Sequence, residues 1–347
     1  MLFAIIVYGG IYMSRTLAPL RLGRFLSAAA LTCSLLASGM GHVQAQTAHG
    51  RAALPSLAMG TEQWIGYGPW YIAQAKGFFQ KEGINVQLIT FQQDADLNAA
   101  LASGKTQAAN IATHTSIKLI LNTHLPITPV LALDDSEGAD AMLGSAAIKS
   151  VSDLRGKTVG YAYGTTSDLL FHFALSQAHI PNSAVHQVNI PADSVTAALV
   201  AGHIDAAVSY EPFISSVAGK GKGLHVIYSS KVAPGLIGDF TVVNNDLIKN
   251  HPDEVRALLR AWNDAMTYWA QNPADGLAIM GKGVGSSPAD LKSTLAGAVI
   301  YTITQNKSLA KGLIQQRYTM VNNVLRSTGV VKGTLNPATT LNFSFLP

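Results

Sequence analysis

This sequence predicts an α/β fold of two similar lobes joined by two crossovers, on three observations. The first is an internal repeat. The segment 99-AALASGKTQAAN-110 recurs without a gap as 197-AALVAGHIDAAV-208, and upstream 65-IGY-67 corresponds to 159-VGY-161 and 83-GI-84 to 179-HI-180. The second is the alternation of strand-like and helix-like segments inside each copy, which favours right-handed βαβ units on a mainly parallel sheet. The third is the length of the repeat, far beyond that of stacked solenoid units, so the copies read as two lobes and not as an array.

Taken in order, the first copy reads as strand 61-TEQWIGYG-68, a helix from Pro69 to about Lys81, strand 84-INVQLITF-91, a helix over 94–103, Gly104, and strand 107-QAANIA-112. The second reads as strand 157-KTVGYAYG-164, a helix from about Thr166 to Ala178, strand 184-AVHQVNI-190, a helix over 193–201, Gly202, and strand 204-IDAAVSY-210. Each glycine after a helix suits a left-handed cap. A returning strand, 238-GDFTVVNN-245, precedes helices over Asp253–Gln271, Pro273–Lys282, Pro288–Thr304 and 308–327. Pro252 followed by Asp253 and Glu254 is a strong helix start, with acids at the positive end of the dipole. This order assigns 56–134 and 237–347 to lobe I and 135–236 to lobe II. The chain crosses near 132-ALDDSEG-138 and 229-SSKVAPGLIG-238. Two such lobes form a hinged clamshell with the ligand in the cleft, at the carboxyl ends of the strands.

The N-terminal segment stands outside this pattern. Arg15, Arg21 and Arg24 precede the apolar run 25-FLSAAALTCSLLASGM-40 and then Val43-Gln44-Ala45. That arrangement reads as a secretory signal peptide over 1–45, cleaved after Ala45, and so as export to the periplasm. The run is too short to span a bilayer comfortably. Because 1-MLFAIIVYGGIY-12 lies upstream of the basic residues, Met13 is a candidate start, with an apolar extension of the signal as the alternative. The single cysteine, Cys33, falls in the signal and is preceded by Ala30-Leu31-Thr32, a poor match to a lipid-attachment site. The mature chain therefore has no disulfide and must be held by its core. The formal net charge of +4 includes three signal arginines and no signal acids, which leaves +1 for the mature protein. That near-neutral balance argues against nucleic acid as a partner.

Loops at strand ends carry the candidate ligand-binding residues. Trp64, Tyr67 and Trp70 lie at or before the first helix start, where aromatic walls suit alkyl groups, flat rings and cations, whereas Phe78 and Phe79 lie further along the helix and read as core. In 163-YGTTSDLLF-171, Thr165, Thr166 and Ser167 present hydroxyls and free amides at a helix start, a site that either caps the helix or binds an anion. The polar loop 110-NIATHTSIK-118 offers Thr113 and His114, the latter as a hydrogen-bonding group without metal-spaced partners. Tyr210 and Glu211 end the matching strand of the second copy. Asp134, Asp135 and Glu137 at the first crossover and Asp239 at the second converge on the same cleft. An acidic cleft with aromatic walls favours an ammonium, amidinium or guanidinium ligand.

One motif is a decoy. Ala99 to Thr106, AALASGKT, fits a relaxed phosphate-binding loop, but its Gly ends a helix where a true loop follows a strand and opens one. No Gly-x-Ser-x-Gly, His-Glu-x-x-His or zinc-like cluster is present, and neither cofactor nor metal is expected.

The run 64-WIGYGPWYIAQAKGFFQKEGINV-86, together with 153-DLRGKTVGYAYGTTSD-168, 198-ALVAGHIDAAVSYEPF-213 and 251-HPDEVRALLRAW-262, resembles the nitrate/taurine/sulfonate group of ABC-importer solute-binding proteins, which is related to thiamine-precursor synthases. The resemblance spans essentially the whole mature chain. It implies a type II periplasmic binding protein fold, with Trp64, Tyr67, Trp70, Thr165, Thr166, Ser167, Tyr210 and Glu211 lining the ligand site. It implies a non-catalytic, monomeric receptor whose permease and ATPase are separate polypeptides. Members bind sulfonates, nitrate, bicarbonate, pyrimidines or amine-like solutes, and the acids here weaken the case for a bare anion. A zwitterion such as taurine would place its anion on the Thr-Thr-Ser turn and its cation near Glu211; amines, guanidinium compounds and pyrimidines would use the cationic half alone. An enzyme of the pyrimidine-synthase type is disfavoured, because that chemistry depends on a cysteine-rich motif which the mature chain lacks. A sensory ligand-binding domain is the remaining alternative.

Overall fold

A computed structural model of the protein describes residues 53–217 and 223–347. The signal peptide expected over 1–45 and the start at Met13 lie outside the described residues. In chain order the strands are β1 (Ser56–Thr61), β2 (Asn85–Thr90), β3 (Ala108–Ala112), β4 (Ile127–Ser136), β5 (Asp140–Gly144) and β6 (Thr158–Tyr161). They continue with β7 (His186–Asn189), β8 (Ala206–Tyr210), β9 (His225–Ser229), β10 (Gly238–Asn244) and β11 (Ala298–Ile300). Two mixed sheets result, one ordered β11-β4-β10-β3-β1-β2 and the other β7-β6-β8-β5-β9. In the first, β1 pairs in parallel with β2 and β3; in the second, β6 pairs in parallel with β7 and β8. The repeat therefore folds twice into the same three-strand parallel unit, and β10 and β5 close the two units antiparallel to β3 and β8.

Several elements differ from the sequence reading, and β4, β5 and β9 have no counterpart in it. The first strand is Ser56–Thr61, where Leu57 and Met59 alternate inward, and not 61–68. Residues Ile65–Tyr67 form a short 3-10 turn that runs directly into the helix Gly68–Ala75, with Pro69 in its first turn. That helix stops before Gly77, whose φ of 71° lies in the left-handed region, and a separate turn of helix follows over Phe78–Lys81. The helix expected over Pro288–Thr304 ends at Ala296, and Ala298–Ile300 instead pairs antiparallel with β4. Burial against a sheet edge outweighs local helix propensity for Val299 and Ile300, both β-branched.

The chain passes from the first sheet to the second between β4 and β5 and returns between β9 and β10. The two passages are tied side by side. The Ser136 and Ser230 hydroxyls are 2.8 Å apart, the Gly138 amide donates to Ser230 Oγ at 2.8 Å, and the Ser136 amide donates to the Ile237 carbonyl at 2.9 Å. The largest buried side chains of the first sheet's core, Trp70 and Trp262, sit 4.8 Å apart between the helices Gly68–Ala75 and Pro252–Gln271. The helix Pro252–Gln271 buries Val255, Leu258, Leu259 and Trp262 along one stripe, at the spacing that faces a helix toward a core.

Candidate functional site

The parallel strands of both sheets end on one cavity of about 390 Å³. Residues just past β1, β2, β6 and β7 line it, among them Glu62, Asp94, Thr165 and Asp193, together with Tyr210 at the end of β8. The antiparallel strands enter at their other ends, so Asp239 of β10 and Asp140 of β5 also face it. Placement at the carboxyl ends of parallel strands is where open α/β sheets hold ligands.

Trp64 forms one wall. Its Nε1 donates to Asp134 Oδ2 at 3.0 Å, and its ring meets Tyr210 edge-on, with centroids 6.2 Å apart. Trp64 belongs to the first sheet's side and Tyr210 to the second, so this aromatic contact spans the cleft. Phe213 packs on Tyr210 at 5.3 Å and extends the wall. A Cβ on Gly66 would fall on the hydrogen bond between Trp64 and Asp134. Gly66→Ala is therefore expected to displace the Trp64 wall and destabilise the fold by about 1–3 kcal/mol; a denaturant titration beside a solute titration would read both effects.

Five carboxylates, Glu62, Asp94, Asp140, Asp193 and Asp239, line the cavity, and among the described residues no Lys, Arg or His does. Burial, reinforced by the charges of Asp94 and Asp239, pushes the Glu62 carboxyl up to about 9. Burial likewise raises Asp94, raises Asp140 to about 6, and, with the charge of Asp140, raises Asp239 to about 7. Beneath the cavity floor burial raises Asp134 well above the usual carboxylate range, and its hydrogen bond with Asp239 raises Asp134 and lowers Asp239, which favours the shared proton on Asp134. Among the described residues two basic groups lie beside the cavity, and the charge of Lys118 lowers Asp94 against its burial. His114 Nε2, at 3.1 Å, and Lys118 Nζ, at 2.6 Å, both donate to the carbonyl of Gly164 and tie the helix Thr113–Thr123 to the loop after β6. Burial holds His114 neutral, down to about 3, so it adds no positive charge.

Of the residues expected from sequence to bind the ligand, Trp64, Tyr67, Thr165, Thr166, Tyr210 and Asp239 line the cavity. The others lie elsewhere, each for a visible reason. Trp70 is 0% exposed in the helix core. Thr113 and His114 begin a helix directly after β3 and do not form a loop; the Thr113 hydroxyl donates to the Gly238 carbonyl at 2.6 Å. Asp135 follows Asp134 on one strand, so the two point to opposite faces, and Asp135 meets Arg317 and the Tyr301 hydroxyl. Ser167 is buried in the first turn of the helix Thr166–Gln177. The Glu211 carboxylate accepts from the Ser215 amide at 2.9 Å and the Ser215 hydroxyl at 2.8 Å, which caps the turn that follows β8.

Glu62, Asp94, Asp140 and Asp193 were missed. Asp94 and Asp193 lie in the first turns of equivalent helices in the two copies, so the repeat carried a signal for both. Glu62 was hidden by placing the first strand too late, and Asp140 by the absence of any strand assignment for β5.

A family model described as NMT1/THI5 like matches residues 64–276. The chain belongs to that family. Among NMT1/THI5-like relatives, the taurine-binding periplasmic protein of Escherichia coli (strain K12) is 25% identical over 77% of this chain and 86% of its own length. The riboflavin-binding protein RibY of Chloroflexus aurantiacus is 27% identical over 63% of each chain. The solved alkanesulfonate-binding protein SsuA of Xanthomonas axonopodis pv. citri, bound to MOPS, superposes with a TM-score of 0.68 at 15% identity, covering 84% of this chain and 99% of its own. The family and fold implied by the sequence motifs thus hold: this is the periplasmic binding protein fold, and these relatives are named as binding proteins, not enzymes. Among the described residues no helix is long and apolar enough to cross a membrane.

Proposed function

We propose that the protein is the periplasmic receptor of an ABC importer and that it captures a small organic cation in the cleft between its two sheets. Five carboxylates around one cleft, with no basic side chain lining it among the described residues, carry this reading. An anion placed there would add negative charge to carboxyls that their own burial and mutual repulsion already push toward protonation, whereas a cation lets them ionise. In the Thr-Thr-Ser turn Ser167 Oγ has no hydrogen-bond partner but does not line the cavity, and other polar groups are already engaged. Thr165 Oγ1 donates to the Ala162 carbonyl and accepts from the Ser167 amide, the Gly164 amide donates to Asp168, and Thr166 is hydrogen-bonded to Asp140. The aromatic faces of Trp64 and Tyr210 suit ammonium, guanidinium or amino-pyrimidinium groups. Among the described residues no three of His, Cys, Asp and Glu converge as metal ligands, which favours an organic cation over a metal ion. Delivery to a permease and ATPase on separate chains is the role this class of receptor implies.

Titration calorimetry against amines, guanidinium compounds, amino-pyrimidines, taurine and simple alkanesulfonates tests the reading, with small-angle scattering to follow compaction on binding. Cations should bind and compact the protein, and simple sulfonates should not; the reverse pattern would sink the proposal. Asp94→Asn is expected to weaken a bound cation by about 1.5–3 kcal/mol, the scale of a lost charged hydrogen bond. Glu211→Gln should leave affinity unchanged, since its carboxylate is engaged with Ser215.

A further inference from the structure

Three lining residues carry buried acceptor oxygens without a hydrogen-bond partner: Glu62 Oε1, Asn98 Oδ1 and Asp140 Oδ1. Glu62 and Asn98 belong to the first sheet's side, after β1 and in the helix Asp94–Ala102, while Asp140 opens β5 of the second sheet. Asp140 is 3% exposed, so bulk water does not satisfy it. A buried acceptor left without a donor is costly, and native proteins rarely retain one without a functional reason. All three are oxygens of one cavity's lining, two from the first sheet's side and one from the first residue of β5. A solute with donors at two positions would satisfy all three.

We propose that the solute is a dication, with one ammonium or guanidinium head between Glu62 and Asn98 and a second at Asp140, joined by a short apolar spacer running along the Trp64 and Tyr210 rings. This deepens the cation-receptor reading and rests on it. The charge pattern agrees with two heads. Asp94 stands with Glu62 and Asp193 belongs with Asp140 to the second sheet's side, while Asp239 feels the charges of both groups and lies between them. A single head would leave one side's carboxylates unneutralised in an enclosed space. A proton on one oxygen of Asp140 does not replace the second head, because the other oxygen remains an acceptor. A dication that grips both sheets also gives closure its differential contacts, since each head binds fully only when the sheets approach.

The test is calorimetric titration of the purified protein with putrescine and agmatine as dications and butylamine as the single-headed control. The dications are expected to bind at least about tenfold more tightly than butylamine. Asp140→Asn should weaken the dications more than it weakens butylamine, and Glu62→Gln should weaken both. Should Asp140→Asn fail to fold, as judged by circular dichroism, the wild-type ratio of dication to butylamine affinity decides alone. Equal affinity for butylamine and the dications would overturn the dication while leaving the cation receptor standing. So would an equal loss for both in Asp140→Asn. Binding of taurine or an alkanesulfonate with no binding of either kind of amine would overturn both.

Discussion

Trp70→Ala is expected to cost about 3–5 kcal/mol of folding stability, the scale of truncating a large buried aromatic residue, measured as a shift of the denaturant midpoint at unchanged slope. The ring is 0% exposed. It stacks on Phe79 with centroids 6.1 Å apart and tilts against Trp262 at 4.8 Å. Its Nε1 donates to Asn110 Oδ1 at 3.1 Å, and that oxygen also accepts from Thr241 Oγ1 at 2.8 Å, while Asn110 Nδ2 donates to Thr61 Oγ1 at 3.2 Å. One indole thus anchors a buried polar network that joins β1, β3 and β10. Trp70→Phe keeps most of the volume but removes one of the two donors to Asn110 Oδ1, so its loss should be smaller, about 1–2 kcal/mol. Solute affinity of the folded Trp70→Phe protein should match wild type. A large fall in affinity at unaltered stability would return Trp70 to the ligand wall where the sequence first placed it.

That displacement shows which parts of the molecule the sequence exposes and which it conceals. The repeat revealed the paired three-strand units, because the same apolar pattern must bury the same faces twice. The resemblance motifs agreed with it. Trp64 and Trp70 are harder to separate, since both are aromatic residues within one short segment. What divides them is the 3-10 turn over Ile65–Tyr67, which points one ring toward the cleft and the other into the helix packing. A similar limit applies to Asp134 and Asp135. Composition says only that two acids are adjacent, whereas the alternation of β4 sends one to Trp64 and the other to Arg317. The dominant chemical feature, the ring of lining carboxylates, was legible only in part. Its members are far apart in sequence, and the strands that bring them together, β5 above all, pair through long-range contacts that no local pattern announces. The cationic preference drawn from Asp134, Asp135, Glu211 and Asp239 nonetheless points the same way as the carboxylates that do line the cavity, although only Asp239 belongs to both sets.

Those carboxylates make the ligand-free protein's stability depend on pH in an unusual direction. Glu62 titrates near 4.5 in the unfolded chain and near 9 in the fold. Between those values the folded state holds a proton that the unfolded state has released, so stability falls as pH rises. Asp239, raised from 3.8 to about 7, adds to the fall in the lower part of that window. His114 acts oppositely, but only below its unfolded value of 6.5, because its folded value is about 3 and acid then favours the unfolded chain. The clean interval is therefore pH 6.5 to 9, over which the ligand-free protein should lose about 1–2 kcal/mol after allowance for the partial exposure of the Glu62 side chain. Glu62→Gln, which carries no proton to lose, should flatten the curve and leave the variant more stable than wild type at the alkaline end. Cation affinity should run the other way, rising with pH by at most about tenfold per unit, since the cation displaces the Glu62 proton. Calorimetry in two buffers of different ionisation enthalpy would register that proton as a difference in apparent heat. Identical heats in both buffers, together with a flat wild-type stability curve from pH 6.5 to 9, would show that Glu62 is ionised in the empty site, and the proton could then have no part in how the cleft selects positive charge.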